Sequence, residues 1–277
     1  MRLERGIDIR IETGAARPCD LYLTPTNLSI QVMKWSITEY DEVNSTQAIA
    51  NRLADAGAPE GTVVVARSQT AGRGRMGRSW VSPAGGLYMS FILRPPSQSN
   101  VHLLTLLTAL AVTDSITKVT EIPSRIRWPN DVMIGTKKVA GVIAESSFER
   151  ERLSHTTLGI GVNIASVAPS LAEVSATATT ICDELHHPVE IHVIRDAILE
   201  SFARSYNQWL GGADPISLSK ARIGTIGRQV TVKLGNERTP RRCRALDIAP
   251  DGALVLESGG RETTLHAEDV EWLRENS

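Results

Sequence analysis

The run Gln69-Thr70-Ala71-Gly72-Arg73-Gly74-Arg75-Met76-Gly77-Arg78-Ser79-Trp80 constrains the fold through what flanks it. Val63-Val64-Val65-Ala66 reads as a strand leading in. Ser82-Pro83-Ala84-Gly85-Gly86 breaks the chain on the way out, and Leu87 to Leu93 reads as a second strand. Gly72, Gly74 and Gly77 have the G-x-G-x-x-G spacing of dinucleotide folds. Gly72 to Ser79 also fits a P-loop, except that Arg78 replaces the phosphate lysine. Both motifs must open a helix, and no helix follows here, so neither fold is supported. What remains is strand–loop–strand. Glycines that allow close backbone approach alternate with guanidinium forks that stay charged. Such a loop suits an anion, a phosphate or a carboxylate, and can order over it. An arginine-rich hairpin facing solvent is the plainer alternative.

A second informative stretch runs from Arg127 to Glu145. It reads as a strand, a stiff Trp128-Pro129-Asn130-Asp131 corner and a hairpin turning at Gly135-Thr136. Lys138 opens an otherwise apolar strand. It is either an edge charge that discourages aggregation or a cation reaching inward to an anionic ligand. Alternation puts Lys137 on the opposite face. In Leu158-Gly159-Ile160-Gly161-Val162-Asn163-Ile164, the Asn163 amide offers a donor and an acceptor suited to a purine edge.

Helices punctuate these strands. Ser45 or Thr46 caps one that runs to Gly57. Val101 to Val119 is apolar enough to require burial, with Asn100 as its cap. Thr179 to Leu185 and Ile191 to Leu210 are two more, the last ending at Gly211-Gly212. From about residue 222 the period changes: Gln229 to Leu234, Arg242 to Ile248 and Ala253 to Glu257 read as short strands at small-barrel spacing. The expected divisions are an N-terminal extension over 1–33, a catalytic part over 34–221 and a β domain over 222–277.

Composition excludes little. The chain has 277 residues, a formal net charge of -1, 42% hydrophobic and 22% charged residues. No uninterrupted apolar run approaches a membrane span, and no signal-peptide pattern opens the chain, so a cytoplasmic protein with no membrane partner is expected. Cys19, Cys182 and Cys243 are scattered singly and suggest neither a disulfide framework nor a metal site. His186-His187 reads as a helix end rather than a metal ligand pair.

Taken together, the glycine-arginine loop with Trp80, the Trp128-Pro129-Asn130-Asp131 corner, Lys137-Lys138-Val139-Ala140-Gly141 and Gly159-Ile160-Gly161-Val162-Asn163 resemble the biotin–protein ligase (biotin–[acetyl-CoA-carboxylase] ligase) family. Ser45-Thr46-Gln47 matches that family's Ser-Thr-Asn helix start. The resemblance is strong from about Asn44 to Ala165 and looser beyond. It implies an α/β fold: a mixed-sheet catalytic domain like that of class II aminoacyl-tRNA synthetases, with a small SH3-like β-barrel at the C-terminus. It also implies the form without an N-terminal DNA-binding domain, since the residues before Ser45 form no basic recognition helix, and hence no nucleic-acid partner.

The implied reaction joins biotin and ATP, with Mg2+, into biotinyl-5'-AMP, then transfers biotin to a lysine of a biotin carboxyl carrier protein. Lipoate or octanoyl transfer on the same fold is the alternative. The implied roles are as follows. Ser45, Thr46, Gln47 and Gln69 face biotin's ureido end; Arg73, Gly74 and Arg75 close over biotin and the adenylate. Lys138 serves the carboxylate and α-phosphate, with Arg75 beside it in catalysis; Arg78, Trp80, Asn130 and Asn163 serve the nucleotide. Gln47 departs from the usual asparagine and Arg127 from the usual lysine. Metal ligands and the choice between monomer and homodimer are left open.

Overall fold

Alternation along the strand Thr62–Gln69 explains the layering. Val63 and Val65 enter one buried cluster while Val64 between them enters another, so the sheet they belong to is covered on both faces. The computed structural model describes residues 33–98, 100–165, 177–235 and 237–276. The N-terminal extension expected over 1–33, and Cys19 with it, falls outside these residues except at Met33.

Seven strands form the larger sheet: β1 (Ser36–Val43), β2 (Thr62–Gln69), β3 (Leu87–Leu93), β4 (Ser124–Arg127), β5 (Asp131–Ile134), β6 (Lys137–Glu149) and β7 (Arg152–Val162). They lie side by side as β1-β2-β3-β7-β6-β5-β4. β1 and β2 are parallel and the other neighbours antiparallel, which makes the sheet mixed. The glycine-arginine run does join two antiparallel strands, β2 and β3, and opens no long helix.

Helix α1 (Thr46–Asp55) covers one face, setting Ala50 and Ala54 against Val64 and Ile92. Ser45 is its N-cap, accepting from Ala48 N at 3.4 Å. A distant side chain fastens its C-terminal end: Arg94 Nη2 donates to the helix carbonyl Ala54 O at 2.7 Å, and Nε to Ala58 O, just beyond the helix, at 3.1 Å. The other face is covered by α2 (Leu104–Thr120), which packs on the sheet and against α4 (Ile191–Leu210), with the short α3 (Ile181–Leu185) between them in sequence. Burial on two sides is why α2 is apolar nearly all round. Among the described residues, Val101–Thr120 is the helical stretch long and apolar enough to cross a membrane by composition; 72% of it is buried inside this fold.

The expected Asn100 cap is corrected by the structure. Val101–Leu103 forms a 3-10 turn ahead of α2, and Asn100 sits at φ 59 with no side-chain capping bond. Asparagine tolerates this left-handed conformation, and here it turns the chain instead of closing the helix.

After α5 (Pro215–Ser219), five strands make a second, wholly antiparallel sheet: β8 (Gln229–Leu234), β9 (Arg241–Ile248), β10 (Leu254–Ser258), β11 (Arg261–Leu265) and β12 (Val270–Glu275), in the order β11-β10-β9-β8-β12. Polar joints tie it to the first. Arg125 on β4 forks onto Glu275 on β12 with contacts of 2.8 and 2.5 Å. Trp128 Nε1 donates to Gly252 O at 3.0 Å, and its backbone N–H to Thr225 Oγ1 at 3.0 Å. The described residues belong to one compact unit.

Candidate active site

The α1 face of the larger sheet carries small or polar residues where the other face carries core. On β3, Ser90 faces Thr46 while Met89 and Phe91 enter the main core. On β7, Thr157, Gly159 and Gly161 alternate with the core residues Leu158, Ile160 and Val162. Gly141 on β6 pairs across the ladder with Gly161. The result is a trough of about 670 Å3 cut into the sheet, large enough for two small substrates together.

At one end, the start of α1 meets the end of β2. Thr46 N donates to Gln69 Oε1 at 2.8 Å, and its hydroxyl lies 2.9 Å from Ser90 Oγ. Gln69 Nε2 continues to Ser82 Oγ at 2.9 Å. Gln47 is 2% exposed and donates through Nε2 to Thr157 Oγ1 at 2.8 Å and Thr157 O at 3.2 Å. Its Oε1 is buried with no hydrogen-bond partner.

The Trp80 indole lies flat on the glycine floor. A Cβ at Gly161 would stand 2.5 Å from its Nε1, and one at Gly141 would stand 3.0 Å from Cζ3. Only glycine fits under the ring at these strand positions. Lys138 Nζ lies 5.0 Å from the ring centroid, within cation–π range. A β-bulge between the Val132 and Met133 pairings shifts the β5–β6 register, and Lys138 lies in the trough beside Gly141 while Lys137 is exposed.

Asp131, from the Trp-Pro-Asn-Asp corner, organises the charges. Its Oδ1 is 2.5 Å from Lys138 Nζ and its Oδ2 is 2.6 Å from Arg127 Nη2. Burial by itself would raise this carboxyl, but the Lys138 and Arg127 charges outweigh it and hold Asp131 below the ordinary carboxylate range. An ammonium has three donors; one is spent on Asp131 and two are left for a ligand.

The three loop arginines diverge. Arg73 faces Glu145 at 4.0 Å, and the exposed Arg78 donates back to Arg75 O at 3.3 Å. Arg75 reaches furthest, donating to Asn130 Oδ1 at 3.2 Å and to Ala267 O in the second sheet's connection. Burial first, and then the charge on Arg78, lower its pKa from the guanidinium value. The loop also bonds to itself: Gly74 N to Arg78 O at 2.7 Å and Trp80 N to Gly72 O at 2.9 Å, around a 3-10 turn at Arg75–Gly77. Asn130 is held by Nδ2 donating to Val142 O at 2.7 Å; the Trp128–Pro129 peptide before it is cis. Of the described lining residues, seven are Arg or Lys (73, 75, 78, 127, 138, 228, 274) and three are carboxylates (131, 271, 275), so the site is built to receive negative charge.

The glycines of the trough floor, the arginine loop and the Asp131 charge cluster all fall within one stretch that can be compared with known families. Residues 40–163 match the model of the biotin/lipoate A/B protein ligase family. The chain is 33% identical to the biotin--[acetyl-CoA-carboxylase] ligase of Paracoccus denitrificans, over 82% of this chain and 96% of that one. The chain belongs to the biotin–protein ligase family. It is also 34% identical to the bifunctional ligase/repressor BirA of Bacillus subtilis, over 88% of this chain and 76% of that one. The fold is similar to that of the biotin protein ligase from Aquifex aeolicus in complex with biotin and ATP, with a TM-score of 0.74, 26% identity and coverage of 87% of this chain and 99% of that one.

Of the residues expected from a biotin–protein ligase, the trough brings together Ser45, Thr46, Gln47, Gln69, Arg73, Gly74, Arg75, Arg78, Trp80, Asn130 and Lys138. Asn163 does not line it. Its Nδ2 donates to Thr179 O at 3.1 Å and its backbone carbonyl accepts from Ile181 N at 3.0 Å, fastening the end of β7 to the start of α3. Sequence reasoning missed Asp131 as the centre of the charge cluster, Thr157 as the anchor of Gln47, and Trp272 and Arg274 reaching in from the second sheet. For Asp131 the signal was present: an acidic residue beside the corner, near two cations in sequence.

Proposed function

We propose that this chain activates biotin as biotinyl-5'-AMP and transfers the biotinyl group to a lysine of a biotin carboxyl carrier protein. The supporting observation is the joining, in one trough, of a neutral hydrogen-bonding end at α1 and a cationic end at Lys138 and the arginine loop. Biotin has that polarity: a neutral ureido head and a carboxylate tail.

Ser45, Thr46, Gln47 and Gln69 are assigned to the ureido head. Trp80, Arg78 and Asn130 are assigned to the nucleotide, with the indole offering a flat face to adenine. In the first step the biotin carboxylate oxygen attacks the α-phosphorus of ATP. A new O–P bond forms as the bond to the β-phosphate oxygen breaks, and pyrophosphate leaves. Two anions must meet, and Lys138 neutralises both, held in place by Asp131 at the moment charge develops. Mg2+ arrives on the ATP phosphates as part of the substrate, which asks for no cage of protein ligands; among the described residues there is no cluster of three or more His, Cys, Asp or Glu side chains. In the second step the neutral lysine amine attacks the acyl carbon, the acyl–phosphate oxygen bond breaks and AMP departs. Arg73 and Arg75 cover the mixed anhydride in between and keep water away from it.

In this reading residues 34–221 are the catalytic part, related to class II aminoacyl-tRNA synthetases, and residues 222–277 an SH3-like domain that closes one side of the trough. Lipoate transfer is the less favoured alternative, because the curated relatives matched are biotin ligases. Incubation with biotin, Mg-ATP and a carrier domain, followed by mass spectrometry, tests the proposal. A gain of one biotin on one lysine is expected. Unmodified carrier, or modification by lipoate in preference to biotin, would overturn it.

A further inference from the structure

The buried Gln47 side chain carries its amide across to Thr157 on β7. Thr157 O is a carbonyl and can only accept, so the group facing it must be the Gln47 NH2. That leaves Oε1 as the free end, standing over Gly159; a Cβ there would lie 2.6 Å away. A buried acceptor without a donor is costly unless a ligand supplies one.

The Thr157 hydroxyl, fully buried, takes the Gln47 proton and passes its own to Asn51 Oδ1 at 2.5 Å. Asn51 lies one helical turn after Gln47 on α1, on the same face. Its Nδ2 then donates to the Glu145 carboxylate on β6. The Thr157 hydroxyl also lies 3.4 Å from the Glu145 backbone oxygen, but Asn51 Oδ1 is much the nearer acceptor, and the roles along the chain follow from its end. A carboxylate can only accept, so Asn51 must turn its NH2 to Glu145 and its oxygen to Thr157. Thr157 must then donate to Asn51 and receive from Gln47. The Thr157 carbonyl at the trough and the Glu145 carboxylate three groups away thus favour the same direction from two ends.

We infer that Asn51 and Glu145 are positioning residues that, through Thr157, hold the Gln47 amide with its oxygen free to accept a ureido N–H of biotin. The inference rests on the assignment of this end of the trough to the ureido head. Without Asn51, the Thr157 hydroxyl loses its nearer acceptor and keeps only the Glu145 backbone oxygen at 3.4 Å, so it can turn toward Gln47 more often; the Thr157 carbonyl is then the one group opposing the inverted amide, NH2 outward. The inverted amide repels a ureido N–H.

The test compares affinities, by calorimetry, for biotin, for biotin methylated on a ureido nitrogen (each isomer), and for desthiobiotin, which keeps the ureido group but lacks the sulfur ring. Asn51→Leu and Glu145→Leu should reduce the preference for biotin over one N-methyl isomer by about 5- to 10-fold, the effect of one hydrogen bond. The ratio of biotin to desthiobiotin should stay within about 2-fold of wild type, because both present the same N–H groups. Glu145→Gln retains an acceptor for Asn51 and should recover most of the preference. If the N-methyl preference is unchanged in both leucine variants, or if both ratios fall together, the two residues support the fold only and the inference is overturned. If the wild-type protein binds no biotin, the assignment of the trough itself fails.

Discussion

At the scale of single residues, neighbours in sequence have unlike tasks. Lys138 lies in the trough against Asp131, whereas Lys137 is exposed. Lys138→Ala is expected to slow biotin-dependent pyrophosphate exchange by roughly 10²- to 10³-fold, comparable to removing one preorganised donor. Lys137→Ala should have little effect, and a larger loss there would show that the wrong lysine has been assigned. A different residue contributes to the loss of stability in acid. His155 is 2% exposed, with Nδ1 unpartnered, and burial lowers its pKa below the imidazole value. Asp55 and Glu149 pull the other way and Arg94 adds to the lowering, with burial the largest influence. Unfolding lets His155 take up a proton near pH 6.5, which the folded state resists. Its contribution is therefore complete above about pH 6.5 and is lost as pH falls through the lower folded value. Urea unfolding at a series of pH values should show this loss in wild type, with a shallower acid slope in His155→Gln. Equal slopes would remove the imidazole from the account.

At the scale of elements, strands with a continuous or cleanly alternating apolar pattern are the most legible. Leu87–Leu93 and Gln229–Leu234 were read to the residue, as was Ile191–Leu210 among the helices. β1 was not read. Its residues, Ser-Ile-Thr-Glu-Tyr-Asp-Glu-Val, are exposed along the strand until Val43, so there is no apolar face to detect; parallel pairing with β2 holds it instead. β11 was missed for the same reason. Most of the site could be read because its residues cluster in two loops and two strands. Asn163 is found in a backbone clasp at Thr179 and not in the trough lining; an amide among glycines suits a base edge and such a clasp equally well. Thr157 depends on Gln47 and Asn51, both more than 100 residues away, which spacing does not reveal. The glycine-arginine loop makes an element-scale prediction. Arg75 joins it to Asn130 and to Ala267, and three glycines give the rest high chain entropy. Arg75→Gly should hold the adenylate weakly and release it into solvent, where it acylates exposed lysines. With biotin, Mg-ATP and serum albumin but no carrier, the variant should label albumin more than wild type does. Equal labelling by a variant that still makes adenylate would show that Arg75 does not retain the intermediate.

At the scale of the molecule, the two sheets are joined by polar contacts more than by a shared strand. The Arg125–Glu275 fork is mostly buried, with side-chain exposures of 18% and 8%, and Glu275 also accepts from Thr225 Oγ1 at 2.9 Å. Arg125→Ala leaves that carboxylate without its main cation and should cost about 3 kcal/mol of unfolding free energy. Denaturant titration would register it as an earlier midpoint; an unchanged midpoint would mean that the joint is dispensable. The trough has a further consequence for the thermodynamics of recognition. Gly141, Gly159 and Gly161 have no rotamers, and the β6–β7 ladder already holds their backbones. The Trp80 ring on Gly141 and Gly161 and the Gln47 amide over Gly159 are already packed or hydrogen-bonded in place, so the ordering entropy of binding falls mainly on the roof, in the arginine loop. Tighter binding is therefore to be sought by stiffening the roof. The floor, with no motion of its own, has none to give up.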